Sequence, residues 1–356
     1  MKFKLSIIAL AAAASLMAMV QPRQFTVNVV NAPQDGDKQV CLTSYDSGDT
    51  LAVATLKKGS AVLHGTVDGS YFARLIVNGR RVGMVVEPGT IVVDAASGSV
   101  TGTPLNKKLE EIDSQIEAIE SQAEAATNDF KEGKIDEEAA TQRVEALEQQ
   151  LVQAFIDAYE ENRDNGIGPW AFNNYIMYAE PDARQLEILI GLAPAGYRQL
   201  ERVKKAQRDA LAKQLTAEGQ RFTDFEMRDA AGKVTRLSHY VGEGHYTLVD
   251  FWASWCGPCR REIKNTLKPL HEQYKDKGLV IVGVAVWDDP ADTEAAIAQM
   301  RLPWPVMKSD HNSSAETDLY GISGIPHLMI IAPDGTIVSR GLQGDDLVAK
   351  VQELLQ

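Results

Sequence analysis

The hydrophobic period of this chain changes twice, and each change demands a different kind of structure. From Phe25 to about Thr103 apolar and polar residues alternate. Phe25-Thr26-Val27-Asn28-Val29 puts every second side chain on one face, as a half-buried strand requires. Similar runs follow at 39–45, 60–67, 71–77 and 81–86, punctuated by Asp68-Gly69, Asn78-Gly79 and Pro88-Gly89. Asn78-Gly79 between two apolar runs predicts a tight hairpin, because both central residues of that turn need positive φ. Residues 22–103 therefore read as a small antiparallel β domain.

Pro104 ends the alternation. Leu105, Leu109, Ile112, Ile116, Ile119, Ala123, Ala126 and Phe130 step by four and three in turn, the spacing of a heptad seam. Lys131-Glu132-Gly133-Lys134 interrupts the seam, Asp136 is placed to cap a second helix, and the stepping resumes from Ala140 to Ala158. A short glycine-containing turn favours two antiparallel helices folded on each other, although the same seam could pair with a second copy to give a homodimer. Further helices are predicted over 170–179, 181–190 and 194–215, with Pro181 and Pro194 in first turns. The last is charged nearly all round and reads as a solvated bridge between domains.

From Arg221 onward strands and helices alternate. Apolar strands at 247–253 and 279–287 are separated by a helix reaching Tyr274. A helix over 291–300, a short strand near Val306, a hairpin around Pro333-Asp334-Gly335 and a closing helix over 345–355 complete an α/β module. The expected organisation is multidomain: 1–20 a secretory signal, 22–103 β-rich, 104–217 a helical hairpin with linker helices, and 218–356 an α/β domain.

Composition narrows the function. The chain has 356 residues and a formal net charge of −13, so it repels phosphate backbones, and nucleic acid is not an expected partner. Lys2 and Lys4 ahead of the apolar run from Leu5 form a signal-like start, with a cut expected between Ala18 and Gln21. Cleaved, the chain would work in an oxidising compartment; uncleaved, the segment would anchor it. Three cysteines cannot form a full set of intrachain disulfides. Cys41 reads as a small buried hydrophobe in a strand, or as a thiol that cross-links two chains.

The chemistry concentrates in Val249-Asp250-Phe251-Trp252-Ala253-Ser254-Trp255-Cys256-Gly257-Pro258-Cys259-Arg260. The cysteine pair follows a buried strand and opens a helix, where free backbone N–H groups stabilise a thiolate. Two intervening residues hold the sulfurs within bonding distance. A structural disulfide or half a zinc site are the other readings, but tetrahedral zinc needs four ligands and only Cys41 and scattered histidines remain. No peroxidatic P-x-x-x-T-x-x-C pattern occurs.

Trp255-Cys256-Gly257-Pro258-Cys259 resembles the active-site motif of the thioredoxin superfamily residue for residue. Asp250 matches that superfamily's buried carboxylate, and Gly324-Ile325-Pro326 its cis-proline loop. The longer interval from Cys256 to Pro326, the run Leu319 to His327, and Pro333-Asp334-Gly335 resemble the TlpA/ResA-like, AhpC/TSA-related thiol–disulfide oxidoreductases. So does a secreted β domain placed ahead, as in Gram-negative gut bacteria. The resemblance implies a thioredoxin-like fold over 218–356 and no cofactor beyond a redox-active Cys256–Cys259 disulfide. It makes Cys256 the exposed nucleophile, Cys259 the buried resolving thiol and Asp250 a proton carrier whose pKa burial raises toward neutrality. Trp255, Gly257, Pro258, Ile325 and Pro326 would dock substrate. Expected partners are cysteine-containing proteins and a membrane reductant of the DsbD/CcdA type, in the periplasm. The Gly-Pro dipeptide points to a reductant; an oxidase or isomerase, or a binding protein whose thioredoxin module mainly docks, are the alternatives. One departure stands out: the strand 279–287 carries no lysine, where thioredoxins place a partner for the buried Asp. His327 would either tune the thiolate or sit on an exposed rim.

Overall fold

The computed structural model describes residues 22–33, 39–229, 231–309 and 313–356, so the signal expected over 1–20 lies outside the described residues. The chain divides into two compact units, one ending at Ala179 and the other starting at Glu180.

The first unit holds β1 (Arg23–Val30), β2 (Gln39–Ser44), β3 (Thr50–Thr55), β4 (Ala61–Val67), β5 (Tyr71–Val77), β6 (Arg80–Val86), β7 (Gly89–Asp94) and β8 (Val100–Thr101). They form two sheets ordered β4-β1-β7-β8 and β3-β2-β5-β6. Alternation decides the faces: Phe25, Val27 and Val29 point into the core beside Val40, Leu42, Leu63, Leu75 and Ile91. Val77 pairs with Arg80, leaving Asn78 and Gly79 as a two-residue turn with φ of 48° and 72°. One pairing departs from an all-antiparallel domain: β1 and β7 run parallel. Parallel neighbours need a long crossover, and the strands between them supply it. The same alternation corrects the reading of Cys41. Its neighbours Val40 and Leu42 take the core face, which leaves Cys41 free and partly exposed on the other.

Three helices complete this unit: α1 (Pro104–Lys131), α2 (Glu137–Glu161) and α3 (Ile167–Ala179). Asn106 docks α1 on β6. It accepts from the Val85 N–H at 2.9 Å and donates to the Val85 carbonyl at 2.7 Å. Glu87 accepts from the Leu105 N–H at 2.7 Å, meeting one of the amides a helix start leaves unpaired. The heptad seam closes within the chain, with Ile116 packed against Leu151 and Phe155. Asp136 caps α2 through the Ala139 N–H at 2.8 Å.

The second unit opens with α4 (Ala183–Leu192) and α5 (Glu201–Leu215). Pro181 precedes the first turn of α4 rather than lying in it, because Asp182 caps the helix in a capping box with Gln185. The continuous helix expected over 194–215 is broken. Ala195–Gln199 is a tight three-residue-per-turn helix with Tyr197 buried, and Leu200 is extended before α5 starts. The charged α5 is no solvated bridge, since it packs on α9 (Ala315–Tyr320). That approach explains Gly321, which has φ of 59° and whose missing Cβ would lie 2.4 Å from the Asp209 carbonyl oxygen.

The sheet of this unit contains β9 (Glu226–Arg228), β10 (Val234–Arg236), β11 (Tyr246–Trp252), β12 (Leu279–Ala285), β13 (Val306–Lys308), β14 (His327–Ile331) and β15 (Ile337–Arg340), ordered β10-β9-β13-β12-β11-β14-β15. Its helices besides α9 are α6 (Gly257–Glu262), α7 (Lys268–Tyr274), α8 (Pro290–Met300) and α10 (Gly344–Leu354). β11 lies inside the sheet, parallel to β12 and antiparallel to β14, and is covered on both faces, which accounts for its unbroken apolar run. Between α6 and α7, Ile263–Leu267 widens into a π turn. Pro269 lacks the N–H that a regular turn would donate there, so the ladder adjusts around it.

Gly321→Ala should lower the unfolding free energy of this unit by about 1–3 kcal/mol, through positive φ and the clash with α5. Urea unfolding followed by Trp fluorescence measures this; an unchanged midpoint would mean that α5 does not press on α9.

Candidate active site

The C-terminal end of β11 delivers the loop Ala253-Ser254-Trp255 to the start of α6, and Cys256 is the residue that caps that helix. The Cys259 N–H donates to Cys256 Sγ at 3.1 Å, so the helix start offers its unpaired amide to this sulfur. Cys256 and Cys259 are joined in a disulfide. Cys259 is completely buried. Cys256, expected to be exposed, keeps only 3% of its surface in this oxidised state. Its sulfur is bonded to Cys259 on one side and lies 3.8 Å from the Ile325 carbonyl oxygen on another. The Ile325–Pro326 peptide is cis, so the structure brings the predicted loop to the disulfide.

Asp250 sits beneath, on β11, with 1% of its surface exposed and neither carboxyl oxygen hydrogen-bonded within the described residues. Burial, reinforced by the negative charge of Glu262, pushes its pKa up to about 8. Among the described residues no cation offsets this shift, and β12 carries no lysine. Glu262 was not singled out from the sequence. The available signal was its position three residues after Cys259, one turn along the same helix face. It also accepts from the Gly344 N–H at 2.9 Å, which ties α6 to the start of α10.

The rim is built from distant segments. Trp255 is 62% exposed, and its indole N–H donates to the Trp287 carbonyl at 2.9 Å. Trp287 itself has φ of 54°, a conformation that bulky side chains seldom adopt. Gly257 and Pro258 form the first turn of α6, with the Arg261 guanidinium over Gly257. Asp288 is buried, and its carboxylate accepts from the Ser254 N–H at 2.6 Å and the Ser254 hydroxyl at 2.9 Å. No local pattern announces Asp288, because its partner is thirty-odd residues away in sequence. His327 is neither exposed nor cationic. Burial, with Arg340 and Lys213 nearby, drives its pKa down to about 4, and its ring faces Phe251. No group of three or more His, Cys, Asp or Glu among the described residues could hold a metal ion.

A central sheet that presents a helix-capping cysteine, its bonded partner and a facing cis-proline defines a thioredoxin-like thiol–disulfide oxidoreductase. Residues 219–340 match the AhpC/TSA family, and residues 25–109 match a domain of unknown function, DUF4369. Over 137 residues the chain is 31% identical to the thiol:disulfide interchange protein HelX of Rhodobacter capsulatus, covering 38% of this chain and 66% of HelX. It is 25% identical over 138 residues to the thiol–disulfide oxidoreductase ResA of Bacillus thuringiensis, covering 39% and 76%. Among solved structures, the thioredoxin domain of a thiol–disulfide oxidoreductase from Bacteroides vulgatus matches with 31% identity over 39% of this chain and 99% of that one, at a TM-score of 0.36. Residues 219–340 are thus similar to the AhpC/TSA thioredoxin-like oxidoreductases of the ResA and HelX kind, and they follow a region that matches DUF4369.

The Asp250 pKa has a consequence for stability. The free carboxyl titrates near 4 and the folded one at about 8, so folding takes up a proton between these values. The Asp250 contribution is intact below about pH 4, declines as pH rises, and is lost above about pH 8. Asp250→Asn should therefore change stability little at pH 4 and raise it by roughly 2–5 kcal/mol at pH 9. Urea unfolding of the oxidised protein at both pH values tests this, and an equal gap at the two would refute it.

Proposed function

We propose that this protein reduces disulfides in secreted proteins, with Cys256 as the attacking sulfur. The Cys256 thiolate attacks one sulfur of a substrate disulfide, and the other substrate sulfur leaves as a thiolate. Cys259 then loses its proton and attacks Cys256 Sγ, which releases the second substrate thiolate and leaves the Cys256–Cys259 disulfide. Two electrons pass to the substrate. The ionised fraction of Asp250, small at neutral pH because its pKa lies at about 8, accepts the Cys259 proton. Trp255, Gly257, Pro258, Ile325 and Pro326 form the surface against which the substrate backbone lies. The observation that carries this reading is the Cys259 N–H aimed at Cys256 Sγ: it favours charge on that sulfur and not on its buried partner.

Direction follows from the dipeptide between the cysteines. Thioredoxin, which shares Gly-Pro, sits near about −270 mV, against about −120 mV for the oxidant DsbA. We take residues 218–356 as the catalytic module, 22–103 and 104–217 as the parts preceding it, and 1–20 as a signal that sends the chain to the periplasm. There a membrane reductant of the DsbD/CcdA type would restore the dithiol. No described helix is long and apolar enough to cross a membrane.

Cys256→Ser should abolish turnover in an insulin-reduction assay, and Cys259→Ser should accumulate a mixed disulfide with substrate. Normal turnover by the Cys256 variant would overturn the mechanism. Glutathione titration should place the midpoint below roughly −200 mV, and a value well above it would make the protein an oxidase or isomerase.

A further inference from the structure

We propose that Asp288 is a positioning residue for the nucleophile: through Ser254 it fixes the loop that presents the Cys256 sulfur to the amides of α6. A buried carboxylate is costly unless donors meet it, and here four do. Oδ2 accepts from the Ser254 N–H at 2.6 Å and the Thr293 hydroxyl at 2.9 Å; Oδ1 accepts from the Ser254 hydroxyl at 2.9 Å and the Asp289 N–H at 3.0 Å. Two of these donors belong to one residue, two positions ahead of Cys256. The other two lie at the N-terminal end of α8, whose dipole favours a negative group. Asp288 thus straps the nucleophile loop to a helix on the far side of the strand junction.

Neighbouring contacts grip the same loop. The Trp255 indole bonds the Trp287 carbonyl, the Val286 N–H donates to the Trp252 carbonyl at 3.0 Å, and Arg260 donates to the Ser254 carbonyl at 3.2 Å while also reaching Gln299. Ser254 is therefore held at its N–H, its hydroxyl and its carbonyl. Such complete restraint goes beyond what closing a surface loop requires, and it falls where a small displacement would move Cys256 Sγ off the Cys259 N–H. The redox state sets how much this matters. In the oxidised form the disulfide itself restrains Cys256, whereas in the reduced form the loop alone does. Loosening the loop should therefore weaken the reduced form more than the oxidised one.

The inference rests on Cys256 being the attacking thiol, and the test separates the two claims. The full chain, its Asp288→Asn variant and its Ser254→Ala variant are reduced and alkylated with iodoacetamide from about pH 5 to about pH 9, with the modified cysteine assigned by peptide mass spectrometry. Thermal midpoints are measured for both redox forms. Positioning predicts that both variants alkylate Cys256 roughly three- to tenfold more slowly at neutral pH, with the pH midpoint moved upward. It also predicts a larger loss of thermal midpoint in the reduced form. If Asp288 acted only through its charge, Asp288→Asn would react faster and Ser254→Ala normally. If it only stabilised the fold, both redox forms would lose equally and alkylation would not change. Either result overturns the proposal. Alkylation of Cys259 in the unmodified chain would instead overturn the choice of nucleophile. Ser254→Ala removes a single hydroxyl and leaves the carboxylate in place, so it decides the question even if Asp288→Asn does not fold.

Discussion

One sulfur meeting one amide is the contact around which the C-terminal unit is arranged. For the Cys259 N–H to reach Cys256 Sγ, a strand must end where a helix begins, and the loop between must be too short and too tightly held to drift. β11 meets the first condition because it lies inside the sheet, bonded on both edges. The second is met by residues from the next strand–helix connection, which grip Ser254 and Trp255. Pro326 closes the arrangement from a third segment.

Two buried carboxyls near this contact show opposite ways of living with burial. Asp288 is met by four donors. Asp250 has no donor within the described residues and faces the charge of Glu262, so it keeps its proton to about pH 8. Desolvation unopposed by hydrogen bonds favours the protonated acid, and hydrogen bonds to the carboxyl oxygens offset the cost of burial. The same residue type, about as buried in both places, is met by four donors in one and by none among the described residues in the other.

Much of this was legible in the chain. The Asn78-Gly79 turn, the α1–α2 hairpin, the covered strand β11 and the cysteine pair at a helix start all follow from local rules of period, turn chemistry and capping. The readings that changed concern elements whose environment is set from afar. Cys41 could be placed in a strand, yet which face it took depended on register against β3 and β5. The charge on α5 suggested solvent all round, but a helix needs only a narrow strip to pack, and Gly321 gave it room on α9. The β9–β10 hairpin and α9 are too short to impose a period and passed unnoticed.

The sequence by itself determined that a Cys-Gly-Pro-Cys dithiol stands at the start of a helix after a buried strand, because capping and period act between residues close along the chain. Only the tertiary structure decided how that dithiol is surrounded: the proton on Asp250, the grip of Asp288 on Ser254, the cis-proline opposite, and the neutral His327. Water exclusion and hydrogen-bond closure depend on atoms brought together from segments far apart in the chain, and neither leaves a mark in any short stretch of it.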